Sequence, residues 1–412
     1  MAMPVLSAAP SSIRNVHRIH LGDGALVTGA DYRGLGIVRS LGRRGIPVWV
    51  LKQDEHLVGS VSRYTCRSLR YPLEDDRKQL DFLLDLAVRE GLNGWVLFPT
   101  TDESVVLVAR HHDLLAEHYR LTTPPWDALR WVFDKRLLHR LAQDLALDRP
   151  WTFCPRNREE LASLECPFPV ILKPAMRLGF NRLNCDKAWR IEDRASLLSR
   201  YDEACALVAP EMLMVQEVVP GWGEAQFSYA ALCRDGRPVA SIVARRTRQF
   251  PMDFGRFSTY VETVDEPQII EPAVRLLAAI RFTGLIEVEF KRDPRNGQYK
   301  VLDVNPRVWG WHTLSRRAGV DFPYLLWLLI RGEPVPDVRG RAGERWMRMP
   351  ADLPVAIHEI LRGRLSLRAY LRSLQGPRES ATFAWDDPLP GFLELPLLAC
   401  TLGKRILRGK GI

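Results

Sequence analysis

Paired cysteines are missing from this chain. Its seven cysteines, Cys66, Cys154, Cys166, Cys185, Cys205, Cys233 and Cys400, are odd in number and scattered, with no C-x-x-C spacing. That is poor material for a disulfide framework or a thiolate zinc site, and it fits a reducing compartment. Long apolar runs are missing too. The longest, Tyr324 to Ile330, falls far short of the roughly 20 residues a membrane helix needs, so no spanning segment is expected. The first twenty residues hold no continuous apolar stretch of the secretory kind and are expected to form a disordered arm. Neither an internal repeat nor a low-complexity segment interrupts the sequence. Basic residues are not interleaved with aromatics in a nucleic-acid reader motif, so no nucleic-acid partner is expected.

What is present is an ordinary globular balance, 46 % hydrophobic and 26 % charged over 412 residues, enough for two or three domains with cores of their own. The net charge of +9 is unevenly placed: Arg339 to Ile412 holds 13 Lys/Arg against 7 Asp/Glu. This basic tail reads as a solvated helical surface, or as a contact for an anionic membrane or acidic partner.

From Ala25 the pattern runs strand, turn, helix, strand. Ala25-Leu26-Val27 leads through glycine into a helix over Tyr32–Arg44, and strands are expected at Ile46–Leu51 and Trp95–Phe98, with helices over Asp75–Arg89 and Glu103–Leu115. Alternating strands and helices predict a parallel sheet covered by helices, here a domain of residues 21–122. Thr122-Thr123-Pro124-Pro125 reads as a linker. A helix Asp134–Leu145 follows. Pro167–Lys187 is expected to form strand, loop and strand, and Arg194–Ala206 a helix. Met212–Glu217 and Ala225–Ala244 are β-rich, Pro267–Ile280 is helical, and Leu285–Lys291 with Gln298–Asn305 should form a hairpin.

That hairpin carries the sharpest chemical signal. Side chains alternate along a strand, so Glu287, Glu289 and Lys291 share one face, Asp303 and Asn305 share one face of the partner strand, and Arg307 follows. Val288, Phe290, Val301 and Leu302 are expected to pack on a core. Carboxylates and an amide carbonyl on one surface suit a hard cation completed by phosphate oxygens; a half-exposed polar face is the alternative. Lys173 ends the apolar strand Val170-Ile171-Leu172, and Lys135 opens a helix after Asp134, both able to place a point charge on a phosphate. Met212–Gly221 is an apolar strand broken at Pro220-Gly221, with Glu224 close behind.

Taken in order, these signals over Trp126–Ile330 resemble the ATP-grasp superfamily, nearest its carboxylate–amine ligases. The match rests on E-F … D-V-N-P-R, similar to that family's glutamate on one strand and E-x-N-x-R on the next. The resemblance implies that Glu289, Asp303 and Asn305 hold magnesium or manganese, and that Arg307 holds the transferred phosphate. It implies that Lys135 and Lys173 contact nucleotide phosphates, that Gln216, Glu217 and Val219 form the adenine hinge, and that Glu224 is the ribose acid. The implied architecture is a pre-ATP-grasp α/β domain (21–122), an ATP-grasp α/β and α+β domain (123–335, lid about 150–215) and a basic helical extension (336–412). The implied reaction is ATP-dependent joining of a small carboxylate, an amino acid among the candidates, to an amine. A non-catalytic ATP-binding protein and a bicarbonate-using carboxylase remain alternatives, although no biotin-type A-M-K-M segment is present. A cytoplasmic seat is expected, with peripheral membrane contact through the tail and homodimerisation both open.

Two departures stand out. Asp303 replaces the family's usual glutamate, and the loop after Lys173 (A-M-R-L-G-F-N-R) has one glycine and two arginines where relatives often have a glycine- and serine-rich phosphate cradle. Three further readings concern neighbouring segments. The turn Gly29–Gly36 could bind a dinucleotide or a substrate carboxylate, or be structural. F-P-T-T-D-E-S (98–104) could face the cleft, and Arg245, Arg246 or Arg248 could neutralise a phosphate or carboxylate.

Overall fold

The computed structural model describes residues 23–53, 57–72, 75–177, 181–252, 255–376 and 378–407. The expected arm at 1–20 and loop residues 178–180 lie outside them.

The amino-terminal unit is a five-stranded parallel sheet. Its strands lie in the order Thr65–Arg70, Val48–Lys52, Ala25–Val27, Val96–Phe98, Arg120–Leu121. Ala25, Leu26 and Val27 are wholly buried, as expected for a parallel strand covered on both faces. The chain leaves Ala25–Val27 toward one edge and Val96–Phe98 toward the other. The loops after these two neighbouring strands therefore bound the crevice where such sheets bind ligands. The expected helix over 103–115 is divided into Asp102–Arg110 and His112–Ala116 at His111.

A four-stranded antiparallel sheet follows, in the order Thr152–Phe153, Leu213–Glu217, Val170–Pro174, Trp189–Ile191. Val170, Leu172, Leu213 and Val215 pack with Leu197 and Tyr201 of the helix Arg194–Cys205, which leaves Ile171, Lys173 and Gln216 for the other face. The strand expected to reach Lys187 is corrected. A short helix, Arg182–Asp186, intervenes, and the next strand begins at Trp189.

The largest sheet has eight strands. Along it lie Tyr299–Asn305, Gly284–Arg292, Gln226–Arg234, Arg237–Phe250, Phe257–Thr263, Arg345–Met347 and Glu379–Ser380, with Val338–Arg339 beside Arg237–Phe250. The purely helical extension expected from 336 is thus amended, because Val338–Arg339, Arg345–Met347 and Glu379–Ser380 all join this sheet. The run Tyr324–Ile330 lies in the helix Phe322–Ile330 within the main core. No helix among the described residues is long and apolar enough to cross a membrane.

Candidate active site

The hairpin forms as its alternation requires. Glu287 stands opposite Asn305, and Glu289 opposite Asp303. The next pair is Phe290 with Val301, so Leu302 is an extra residue, a β-bulge. The bulge corrects one expectation: Val301 enters the core, whereas Leu302 turns to the cleft. It also allows Val301 and Val304 to face inward while Asp303 and Asn305 face outward.

Glu287, Glu289 and Asp303 are nearly buried, and every one is satisfied. Lys135 Nζ lies 2.8 Å from Asp303 Oδ1, and Arg246 Nη1 lies 2.6 Å from Glu289 Oε1. Gln226 donates to Glu289 at 2.8 Å, and Ser228 and Trp311 donate to Glu287 at 2.8 and 3.1 Å. Asn305 Nδ2 donates to both glutamates, at 3.0 Å to Glu287 and 2.9 Å to Glu289. Its Oδ1 accepts from Arg307 at 3.3 Å. The amide nitrogen, rather than the oxygen expected to ligate metal, thus faces the carboxylates in this arrangement.

Charge at the site follows from these contacts. Burial, reinforced by the Glu289 carboxylate, pushes Glu287 up to about 7. Burial also opposes ionisation of Asp303, but Lys135, Lys187 and Lys173 outweigh it and hold its carboxyl well below the usual range. Lys173 is pulled down to about 7, first by burial and then by Lys135. Lys187 is pulled down to about 8, chiefly by burial.

Across the cleft, Lys173 Nζ donates to Gln216 Oε1 at 2.8 Å. Gln216 Nε2 in turn meets Thr152 Oγ1 and His139 Nε2, both at 2.9 Å. The space between lid and hairpin is about 740 Å³, partly open to solvent. Its walls include Ile171, Val219 and Leu302, and its charged lining includes Lys135, Lys173 and Lys187. Gln216, Glu217 and Val219 line it as expected. Glu217, however, is tied down: its carboxylate accepts from Trp151 N at 3.0 Å, Lys300 at 2.5 Å and Arg295 at 2.9 Å. Its own N–H donates to Trp151 O, and Val218 N–H to Pro169 O. Among the described residues Val219 N–H makes no backbone hydrogen bond, so the hinge offers that amide to a ligand. Glu224 is exposed on the turn Gly223–Ala225 and does not line the cleft. The structure does not bring the expected ribose acid to the site.

A second chamber of about 540 Å³ adjoins the first, sharing Arg177, Lys187, Glu289 and Asp303 with it. Arg307 reaches it and donates through Nε to Asp102 Oδ1 at 2.6 Å; Arg177 lies 3.6 Å from the other Asp102 oxygen. Asp102 opens a helix capped by Thr101 and Ser104. The 98–104 segment thus meets the cleft arginines through Asp102, and none of its residues lines either chamber. The Gly29–Gly36 turn is structural at its backbone, since Asp31 caps the Arg33 and Gly34 amides at 2.9 and 3.2 Å. Tyr32 and Arg33 still present side chains to the second chamber. Of the three arginines considered, Arg246 belongs to the site. Arg245 pairs with Glu262, and Arg248 pairs with Asp352 outside it.

The sequence reading missed Lys187, Gln226 and His139. His139 could have been found, for it lies one helical turn beyond Lys135. Lys187 could not, because it reaches the cleft through a left-handed backbone at φ 71°, which nothing local announces.

Fold and cleft together define an ATP-grasp protein: a parallel α/β unit, an antiparallel lid, and a larger sheet presenting acids to lysines across the gap. Comparison with known proteins agrees on the ATP-grasp fold, and ATP-grasp ligases are among the proteins the chain is similar to. Residues 209–348 match the family described as "ATP-grasp in the biosynthetic pathway with Ter operon". The carbamoyl phosphate synthase large chain of Thermomicrobium roseum is 23 % identical over 321 residues, 72 % of this chain and 28 % of that one. The chain thus spans under a third of that relative's length. Among solved structures, N5-carboxyaminoimidazole synthetase from Staphylococcus aureus superposes with TM-score 0.61 at 15 % identity, covering 83 % of this chain and 86 % of that one. L-amino acid ligase from Bacillus licheniformis gives 0.57 at 16 % identity, covering 75 % and 74 %.

Proposed function

We propose that the chain is an ATP- and magnesium-dependent ligase that joins a carboxylate to an amine through an acyl phosphate and releases ADP and phosphate. The observation that carries this reading is the opposition of Glu289 and Asp303 to Lys135, Lys173 and Lys187 across one cleft with apolar walls. The donor set fits magnesium. Among the described residues no three His, Cys, Asp or Glu side chains make a cage by themselves, and magnesium is commonly held by one or two carboxylates with phosphate and water oxygens completing its shell. Glu289 and Asp303 would hold it, with the Asn305 oxygen joining if that amide turns over. When bound, the cation supplies charge neutralisation to phosphate oxygens.

The protein groups do the rest by position and charge. Ile171, Leu302 and Val219 enclose a flat base, and the Val219 amide is available to its edge. Lys135, Lys173 and Lys187 gather on the phosphates. Arg307 lines the second chamber with the shared Glu289 and Asp303, where a transferred phosphoryl group would meet the acyl oxygen. Arg33, Arg177 and Arg246 make the second chamber suited to anionic substrates.

The test is release of ADP and phosphate with pooled amino acids, carboxylic acids and amines, with mass spectrometry of the products. Bicarbonate forms a separate arm. Turnover only with bicarbonate would replace this reading by a carboxylase. MgATP binding with no turnover in any pool would replace it by a nucleotide-binding protein.

Two binding predictions follow from Lys173. Lys173→Met should weaken ATP by about tenfold or more, the scale of a lost charge-assisted contact, and leave adenosine nearly unchanged. Equal losses for both ligands would remove the phosphate role. Because Lys173 titrates near 7 in the free chain, it is largely neutral at pH 8. A bound phosphate favours its charged form, so ATP binding at pH 8 should take up a proton, and affinity should decline as pH rises above 7. Calorimetry in buffers of different ionisation enthalpy reads the uptake directly, and Lys173→Met should reduce it to the share taken up by Lys187.

A further inference from the structure

The carboxy-terminal helices leave leucines exposed, and two of them bury acids. In Met349–Leu361, Asp352 and Glu359 are buried, whereas Leu353, Ile357 and Leu361, one turn apart, are 45, 49 and 82 % exposed. In Leu367–Ser373, Tyr370 is buried over the Arg248 guanidinium, and Leu367 and Leu371 are exposed. In Leu389–Leu407, Glu394 is buried against Arg348 and Thr382, whereas Leu389, Phe392 and Leu395 face out. Trp385, just before that helix, is 90 % exposed. Two of these helices are held to the body by ion pairs, Asp352 with Arg248 and Glu394 with Arg348, and the third by Tyr370 over Arg248, so leucines are left on their outer faces.

The charge around the leucines of the first two helices is of one sign. From Ile360 to Arg378 the sequence has five arginines and no acid. Arg362, Arg368 and Arg372 are exposed and make no ion pair among the described residues. The arginines fall on two helices, because Gly363, at φ 70°, separates Met349–Leu361 from Leu367–Ser373.

We propose that the surface of the first two of these helices docks on an anionic lipid bilayer, with Leu353, Ile357, Leu361, Leu367 and Leu371 entering the headgroup boundary and the arginines meeting lipid phosphates. Exposed apolar patches commonly mark interaction sites. A second copy is the less suitable occupant, since a two-fold contact sets the same patch against itself and would oppose arginine to arginine.

The test is co-sedimentation of the full chain with vesicles of phosphatidylcholine alone or containing about a third phosphatidylglycerol. Binding is expected only to the anionic vesicles, weakening as salt is raised to ~0.5 M. The triple variant Arg362→Gln, Arg368→Gln, Arg372→Gln should lose about fivefold in affinity per arginine, the equivalent of ~1 kcal/mol each. Ile357→Glu with Leu361→Glu should lose binding as well, and nucleotide affinity should stay as in the parent chain. Absence of binding at low salt, or binding indifferent to both sets of substitutions, would overturn the proposal. So would a dimer in sedimentation equilibrium that Leu361→Glu dissociates, which would give the face to a second copy.

Discussion

Glu289→Gln is expected to lower turnover in the proposed ligase reaction by about 10²–10³, the scale of losing one preorganised electrostatic contact, while the chain stays folded. Glu289 accepts from Arg246, Gln226 and Asn305 at once. Glutamine fills the same space but brings a donor into a ring of donors and removes the negative charge a cation needs. The same change should let the Glu287 carboxyl fall from about 7 toward its ordinary range, because part of its elevation comes from Glu289. Phosphate release at saturating magnesium, alongside circular dichroism, measures the first effect. Activity within twofold of the parent chain would end the assignment of Glu289 to the metal.

The second large effect concerns stability. Asp352→Ala should cost about 3–5 kcal/mol, the usual result of leaving a buried charge without its partner. Arg248 donates to both Asp352 oxygens, at 2.9 and 2.8 Å, and its guanidinium lies 4.2 Å from the Tyr260 ring centroid. Asp352 is wholly buried, so water cannot replace the lost carboxylate. Urea unfolding should show a lower midpoint with a similar slope. The double change Arg248→Met, Asp352→Leu should recover much of the loss, since an apolar pair needs no counter-charge. A single-variant loss under ~1 kcal/mol, the range of exposed pairs, would show that this contact does not hold the tail to the sheet.

Much of the site was legible because strands write their faces into the sequence. Glu287, Glu289, Asp303 and Asn305 alternate, and the structure gathers all four. Leu302 was misplaced because a bulge is decided by the partner strand's register, not by the residue itself. Lys187 was hidden by an unusual backbone angle, and Glu224 by a turn that carries it away from the cleft. The tail strands Val338–Arg339 and Arg345–Met347 are two and three residues long. They exist because a neighbouring edge offers hydrogen bonds, and too few residues are involved for any period to show.

The Lys135–Asp303 contact sits beside two others of its kind, Arg246–Glu289 and Arg307–Asp102. In the free chain these cations are already spoken for by the molecule's own acids. When Lys135 turns to a phosphate its hold on Asp303 loosens, and that carboxylate is left to Lys173 and Lys187. Arg307 likewise must loosen its hold on Asp102, a residue of the amino-terminal unit. Ligand entry is therefore an exchange of partners rather than an addition of charge. A ligand that arrives as a matched set, anion together with cation, satisfies both sides of each exchange, whereas nucleotide alone leaves carboxylates stranded. Since Asp102 belongs to the amino-terminal unit and Arg307 to the segment after the hairpin, the cleft arginine is also the tie between those two parts of the chain.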